Sequence, residues 1–204
     1  HSMNKLLGAF PITPAMIYNS STKYSEIFDK YGLDSSTHGK FGAGWKLNLI
    51  EFILPVDDSY LYVDGSGTEF IFACNSEGVY ENEALGADLT IGSDETYMLE
   101  LADESVRTFS SVGLITSLEY ADEVYTYTYE NGKLTNIKNS KQKTIFNFVY
   151  GKEGEEEKDY LLSVENPPYY EDSDKTVGYE FEYVESTLNN TKTISKIKDV
   201  YDNE

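Results

Sequence analysis

Carboxylates and one histidine are the side chains of this sequence that could carry out chemistry. The chain of 204 residues holds 36 Asp and Glu, 16 Lys and Arg, and two His. His38 follows Asp34 and Ser36, which together are the three residue types of a hydrolytic triad. A catalytic base needs an oriented partner and a positioned nucleophile, and nearness in sequence provides neither. We therefore predict no catalytic residue, and we interpret His38 as a solvated loop residue.

Paired carboxylates could bind calcium, which prefers oxygen ligands from loops. Pairs occur at Asp57 and Asp58 and at Asp172 and Asp174, but neither continues into the loop pattern of an EF-hand. Cys74 is the only cysteine, so no zinc cluster and no internal disulfide can form. The sequence therefore predicts neither a metal site nor a cofactor. Cys74 is expected to be a buried structural thiol.

The charge of the chain excludes two classes of partner. A formal net charge of -20 repels nucleic acid phosphates and anionic membrane surfaces. No stretch approaches the roughly 18 apolar residues of a membrane span. We therefore predict no nucleic-acid binding and no membrane insertion, and we interpret the acidity as a solvated outer face.

Tyrosines are the most conspicuous aromatic side chains. Tyr125, Tyr127 and Tyr129 alternate with threonines, and Glu130-Asn131-Gly132 follows them. The period of two places the three rings on one face of a strand, and Asn-Gly suits a tight hairpin turn. Exposed aromatic rows can stack on sugar rings, so carbohydrate binding is one interpretation. Core packing is the stronger one, because cross-strand aromatic pairs stabilise a sheet by about 0.2–1 kcal/mol each.

The elements around these residues read as strands. Two hairpins are predicted, from 60–63 to 68–72 and from 97–101 to 105–109, where alternating apolar runs flank polar turns. The stretch 75–96 is polar and contains glycine, so it is expected to be loop-rich.

The first part of the chain has three further features. Residues 22–31 have the spacing of a short helix, although an ordered loop fits equally well. Residues 46–54 are predicted to form one apolar strand that ends at Pro55. Gly42, Gly44 and Trp45 precede it and are predicted to form a packing corner, since the glycines allow the indole to approach the backbone.

From Gly113 onward, one unit recurs: an aromatic strand, a turn, and an apolar step, by which we mean two apolar residues three positions apart. Tyr150 precedes Leu161 and Tyr183 precedes Ile194 by the same eleven residues. We expect Phe181 to be packed while its neighbours Glu180 and Glu182 face water. The predicted repeat positions are Tyr125, Tyr127, Tyr129, Gly132, Leu134, Ile137, Phe148, Tyr150, Leu161, Val164, Phe181, Tyr183, Ile194 and Ile197, with a first step at Ile115 and Leu118.

These features predict an all-β fold of antiparallel hairpins side by side in a curved, repeat-built sheet with little helix. Residues 1–3 are interpreted as a tag remnant, 4–110 as a β-rich region preceding the repeats, and 111–204 as about four hairpin repeats. The chain is expected to be a fragment of a longer protein.

The repeats resemble those of the bacterial Rhs or YD-repeat family, which run approximately G-R-L-T-x-I, a spacer, then Y-x-Y-D-x-x-G. Residues 127–137 match with Glu for Asp, Lys for Arg and one residue fewer in the turn, and Tyr201-Asp202 is the name-giving pair. Residues 11–20 and 41–49 are similar to the P-l-x-x-x-Y-N-S and G-x-G-W-s-l-n stretches that precede the repeats in that family.

The resemblance implies a secreted or surface-displayed polymorphic toxin or wall-associated protein, whose repeats form a shell around a C-terminal toxin domain. This chain has only about four repeats and neither a closing region nor a toxin, so it would be a non-enzymatic segment of the shell wall. Its partners would then be the further repeats and the toxin domain of the same polypeptide. The second hypothesis is a module that binds cell-wall glycan through exposed tyrosines. The third is a glycosidase with two carboxylates about 5–9.5 Å apart.

Overall fold

The computed structural model describes residues 12–166, 177–186 and 191–200. Four features predicted from the sequence lie outside these residues: the tag remnant 1–3, Pro11, the carboxylates Asp172 and Asp174, and the Tyr201-Asp202 pair.

The described residues form sixteen β-strands, two four-residue α-helices and one 3-10 turn, so the predicted all-β class with little helix is confirmed. The helices are α1 (Ile27–Lys30) and α2 (Ser35–His38). The strands are β1 (Met16–Tyr18), β2 (Trp45–Leu47), β3 (Phe52–Val56), β4 (Ser59–Val63), β5 (Glu69–Cys74), β6 (Tyr80–Asn82), β7 (Ala87–Ile91), β8 (Tyr97–Glu100), β9 (Val106–Phe109), β10 (Ile115–Tyr120), β11 (Glu123–Glu130), β12 (Lys133–Lys138), β13 (Thr144–Tyr150), β14 (Leu161–Asn166), β15 (Val177–Glu185) and β16 (Lys192–Val200).

Sequence order and sheet order coincide. Strands β3 to β16 form a 14-stranded antiparallel sheet in which each strand is hydrogen-bonded to the next along the chain. Strands β1 and β2 form a separate antiparallel pair. The predicted arrangement of hairpins side by side is therefore confirmed.

One loop geometry produces much of this order. In six connections the N–H of the first loop residue donates to the carbonyl of the fifth, and the N–H of the fourth donates to the carbonyl of the first. The fourth residue always has a positive φ, between 61° and 84°. This is a turn followed by a bulge residue in the left-handed region, a common three-residue hairpin loop. The six loops are 64–68, 75–79, 92–96, 101–105, 110–114 and 139–143.

Two other connections are tight two-residue turns. Asn131 and Gly132 join β11 to β12 with φ values of 51° and 82°, as the Asn-Gly signal predicts. Ala121 and Asp122 join β10 to β11 with φ values of 52° and 65°. Alanine rarely adopts this left-handed conformation, because its Cβ approaches the backbone.

The chain packs as two compact units. The first comprises His1–Ala15 and Asn48–Tyr127, and the second comprises Met16–Leu47 and Thr128–Glu204. These units are defined by packing and are cut differently from the sequence regions 4–110 and 111–204.

The first unit closes on itself. The Ile53 N–H donates to the Gly113 carbonyl at 2.8 Å, and the Ile115 N–H donates to the Glu51 carbonyl at 3.1 Å. These bonds attach β3, the terminal strand of the sheet order, to the start of β10, so β3 to β10 form a closed ring. Its core contains the fully buried Tyr62, Phe72, Leu99 and Phe109.

In the second unit, the segment between α2 and β2 packs on the sheet. The Lys40 N–H donates to the Asp159 carbonyl, and the Lys40 carbonyl accepts from Leu161 N–H, both at 2.8 Å. The Ala43 N–H donates to the Lys192 carbonyl at 2.9 Å. Phe41, between these contacts, is completely buried.

The predicted packing corner lies in this segment. A Cβ on Gly42 would lie 3.2 Å from the backbone nitrogen of Ile194, and one on Gly44 would lie 2.6 Å from the ring of Tyr18. Trp45 packs against the same Tyr18 ring, with centroids 5.3 Å apart.

The stretch 75–96, predicted to be loop-rich, also contains the short strands β6 and β7 among its turns. In β7, Ala87 and Leu89 are buried whereas Asp88 and Thr90 are exposed. This alternation of buried and exposed residues is typical of a strand with one face in the core and the other in solvent. The polar residues of β7 all lie on the solvent face.

Two further predictions are wrong, and for a third the structure shows which of two alternatives forms. The single strand predicted at 46–54 is wrong, since β2 and β3 are separate strands and Pro55 lies inside β3 and does not end it. Cys74 is exposed at the end of β5, so the buried thiol is also wrong. In segment 22–31 the chain forms the short helix α1 at Ile27–Lys30, one of the two alternatives.

Candidate functional site

The repeated unit is the feature that the structure brings together. The four apolar steps lie on β10, β12, β14 and β16, and the aromatic segments lie on the intervening strands β11, β13 and β15. Each step strand is therefore followed along the chain by an aromatic strand, except β16, the last described strand.

The spacing of three within a step requires an irregular strand. In a regular strand, residues three positions apart point to opposite faces. Nevertheless Leu161 and Val164, both ends of one step, are buried. The register explains this, because Tyr150 pairs with Leu161 and Val149 pairs with Ser163, which leaves Leu162 as an extra residue. This β-bulge returns the end of the step to the same face as its start.

The bulge recurs at the second position of other steps. The register shifts across Thr116 in β10 and across Ser195 in β16. The Thr116 hydroxyl donates to the Thr108 carbonyl at 3.1 Å, and the Ser195 hydroxyl donates to the Glu182 carbonyl at 3.0 Å.

In β12, the Thr135 hydroxyl makes the same kind of bond to the Thr128 carbonyl, at 3.2 Å. Three of the four steps thus place a hydroxyl at the second position, where it satisfies a carbonyl of the preceding strand. This role was not predicted from the sequence, although the Ser or Thr within the step is a signal for it.

The last residue of a step faces an aromatic ring on the next strand. The cross-strand pairs are Leu118 with Tyr125, Ile137 with Phe146 and Val164 with Tyr179. Such aromatic–aliphatic pairs are a main source of sheet stability. All three aliphatic members are buried.

The structure places the other predicted repeat positions as follows. Tyr127, Phe148 and Phe181 are buried, while Glu180 and Glu182 are exposed, as the alternation predicts. Tyr125, Leu134 and Leu161 are also buried, Gly132 forms the tight turn, Tyr129, Tyr150, Tyr183 and Ile194 are half-buried, and Ile197 is exposed.

The hydroxyls of this region stay protonated over the neutral pH range. Burial raises the pKa of Tyr127, and the nearby Glu51 charge raises it further. Burial likewise raises the pKa of Tyr150 and of Tyr183. These rings act in packing and hydrogen bonding; the Tyr183 hydroxyl, for example, donates to the Leu161 carbonyl at 2.7 Å.

A partly buried polar cluster lies beside the ring closure of the first unit. The Glu51 carboxylate accepts from the Tyr62 hydroxyl at 2.5 Å and from Nε of Arg107, the only arginine of the chain, at 2.8 Å. Arg107 also donates from Nη1 to the Ser105 hydroxyl at 2.7 Å. Because the backbone of Glu51 also bonds to Ile115, this cluster lies at the junction of the two ends of the ring.

A second buried carboxylate lies in the second unit. Glu26 is 2% exposed, and its Oε2 accepts from the Phe41 N–H at 3.2 Å. Its Oε1 is buried and has no hydrogen-bond partner within the described ranges. Burial raises the pKa of Glu26 to about 7, against weaker opposing effects of the Phe41 N–H and the Tyr160 hydroxyl. No feature of the sequence distinguishes Glu26 from the other acidic residues.

The residues first considered for chemistry have structural roles. Asp34 caps α2 by accepting from the Ser36 N–H at 2.9 Å. His38 is half-buried against the Phe28 ring, with centroids 5.1 Å apart, so the prediction of a solvated loop residue is wrong. Asp57 and Asp58 form the turn between β3 and β4.

The described residues contain neither a metal-binding cluster nor a helix that could cross a membrane. In this part of the chain no three His, Cys, Asp or Glu side chains are grouped so as to hold a metal ion. No helix within the same ranges has the length and apolar character needed to cross a membrane.

Comparison of the sequence with protein-family models and with curated proteins gives no match. The likeness to Rhs or YD repeats therefore rests on the sequence motifs themselves.

Proposed function

We propose that this chain is a non-enzymatic scaffold segment of a larger secreted or surface-displayed bacterial protein of the Rhs or YD-repeat type. Its role is to form part of a β-sheet wall that encloses a C-terminal toxin domain of the same polypeptide. The observation that supports this proposal is the recurrence of one unit, an aromatic strand followed by a bulged apolar step, on successive strands of a single sheet.

Physical chemistry favours a wall over an isolated module. A lone hairpin cannot bury its apolar face, so each unit depends on its neighbour for stability. Here the dependence is specific, because the step of one strand is covered by a ring of the next, as Ile137 is by Phe146. A sheet built in this way can be extended by adding units without changing the existing ones.

The coding sequence downstream of residue 204 tests the proposal. We expect further units of aromatic strand and apolar step, followed by a terminal domain unrelated to them. A downstream region without such units would overturn it. Expression of the extended chain with its terminal domain should also protect that domain from added protease, whereas the terminal domain alone should be digested.

A second candidate function, glycan binding, is favoured by exposed aromatic side chains in the second unit. Tyr18 and Tyr24 are 49% and 46% exposed, and Trp45 packs against Tyr18. Planar exposed rings of this kind can stack on sugars, although they do not belong to the predicted row at 125–129.

The single tryptophan makes this candidate easy to test. Soluble peptidoglycan fragments should change Trp45 fluorescence saturably, and Tyr18→Ala should abolish the change. Tyr120→Ala, at a comparably exposed tyrosine of the first unit, is the matched control. Fluorescence that is unaffected by the fragments would dismiss glycan binding at this site.

A further inference from the structure

Among the described residues, β16 is the last strand of the sheet, and its outer side has none of the cover that the equivalent strands possess. Within the described residues it pairs with β15 alone. Ile197, the last residue of its apolar step, is 45% exposed, whereas Ile137 at the same position of an earlier step is completely buried.

The three earlier steps show what covers this position. Leu118, Ile137 and Val164 each face an aromatic residue on the following antiparallel strand. Ile197 faces Phe181 on the preceding strand, so one side of its pairing is complete. The other side of Ile197 is the side on which the following strand would lie. On that side each earlier step pairs with its aromatic partner.

The neighbouring position defines a second requirement. The residue before the end of each step pairs with a polar residue of the next strand: Ser117 with Thr126, Asn136 with Asn147, and Ser163 with Glu180. In β16 this position is Lys196, which is exposed. A polar or acidic residue opposite Lys196 would match both the pattern and the charge.

Only the second half of the β16 edge is accessible to an added strand. The Lys192 carbonyl already accepts the Ala43 N–H, so the start of β16 is occupied. An added strand would therefore begin to pair beyond the bulge at Ser195 and would run along the second half of β16.

We propose that β16 is an acceptor edge for one further antiparallel strand, which places an aromatic side chain opposite Ile197 and a polar or acidic residue opposite Lys196. The added strand supplies main-chain hydrogen bonds for affinity and its ring for register. This inference rests on the proposed function, since the natural occupant is the next aromatic strand of the repeat array.

The chain supplies its own probe, a synthetic peptide with the sequence of residues 123–130, whose first tyrosine can lie opposite Ile197. Added to the full chain, it should shift the backbone amide NMR signals of 195–200. The same peptide with its three tyrosines replaced by threonine should cause no shift at equal concentration. Ile197→Thr should weaken binding about fivefold, the loss of one aromatic–aliphatic cross-strand pair.

Val184→Thr is the matched control, because Val184 is equally exposed in the same unit but belongs to β15. Its affinity for the peptide should equal that of the parent chain. Equal weakening by both variants would overturn the proposal, as would amide shifts confined to other strands or equal binding of the threonine peptide.

Self-association is the competing outcome. Dimerisation that Ile197→Thr abolishes, without binding of the tyrosine peptide, would overturn the proposal, because a second β16 carries no aromatic residue. This failure is distinguishable from failure of the scaffold function, which depends on the downstream coding sequence and not on binding of a peptide in trans.

Discussion

The two units of this chain both consist of antiparallel hairpins but end differently. In the first unit the terminal strand β3 is bonded to the start of β10, and the cluster of Glu51, Tyr62 and Arg107 lies at the junction. In the second unit the last described strand, β16, pairs only with β15 among the described residues, and it exposes Ile197. The comparison shows that hairpins of the same antiparallel kind can end at a strand bonded back to the sheet or at an exposed edge.

The largest expected effect concerns the core of the second unit. Phe148→Ala should lower the free energy of unfolding by about 3–4 kcal/mol, because a buried ring is lost and a cavity remains. Val149→Ala, at the next and exposed position, should cost less than about 1 kcal/mol. Urea titration measures both values, and similar losses for the two variants would contradict the assignment of faces.

The same variant tests how separate the units are. Hydrogen exchange in Phe148→Ala should accelerate at the Val164 amide of the second unit more than at the Leu99 amide of the first. Equal acceleration would show that the units unfold as one.

Glu26 should make the stability of the second unit depend on pH. Burial raises the pKa of Glu26 in the folded chain from 4.5 to about 7, although Lys40 opposes the shift and Asp29 adds to it. The folded state therefore holds the proton more tightly than the unfolded state. The stabilisation by the proton on Glu26 is complete below about pH 4.5 and is lost as pH rises through 7. The free energy of unfolding changes by about 3 kcal/mol in total.

Glu26→Gln should remove this dependence and should be more stable than the parent chain above pH 8. Thermal unfolding between pH 5 and pH 9 measures it, with Glu180→Gln, at an exposed carboxylate, as the control. A parent chain and a Glu26→Gln variant that lose stability in parallel would refute the assignment.

Arg107→Met should loosen the ring of the first unit. It leaves the Glu51 carboxylate largely buried without its ion-pair partner, at a cost of about 2 kcal/mol. Exchange should accelerate at the Ile53 and Ile115 amides, which make the closing hydrogen bonds. Adding Glu51→Gln to this variant should recover part of the loss, because no unpaired charge remains. Unchanged exchange at both amides would show that the cluster does not hold the ring.

The smallest expected effect is a gain in stability at the turn between β10 and β11. Ala121 has a φ of 52°, a conformation that asparagine tolerates better than alanine. Ala121→Asn should therefore stabilise the chain by about 0.5–1 kcal/mol in thermal unfolding. Ala102→Asn, in a loop position without a positive φ, should have no such effect, and equal gains would indicate a cause other than the turn.

Much of the fold follows from local patterns. Alternating aromatics and the Asn131-Gly132 turn predict the hairpin of β11 and β12, and the period of the steps predicts strands at β14 and β16. The short strands β6 and β7 escape this approach, because their solvent-facing residues are polar enough to read as loop.

The features that matter most for the ends of the sheet are not local. Glu51 bonds to Ile115 and Arg107, which come much later in the chain, near the end of the eight strands β3 to β10. No local stretch of sequence therefore contains both sides of the ring closure. The burial of Glu26 likewise depends on Phe41 and Tyr160, which are far from it in the chain. The bulges are partly predictable. The hydroxyl within a step can be recognised in the sequence, but the carbonyl that accepts its hydrogen bond cannot.

The recurring three-residue loop has a consequence for how the protein is made. Since each strand from β3 to β16 pairs with the next along the chain, pairing can begin near each turn over a short chain distance, which favours early formation of the hairpins. Each new hairpin can form hydrogen bonds with the previous one as the polypeptide emerges during synthesis. The junction between β3 and β10 is the exception, because it must wait for the intervening strands and so is expected to be the slow step in maturation of the first unit.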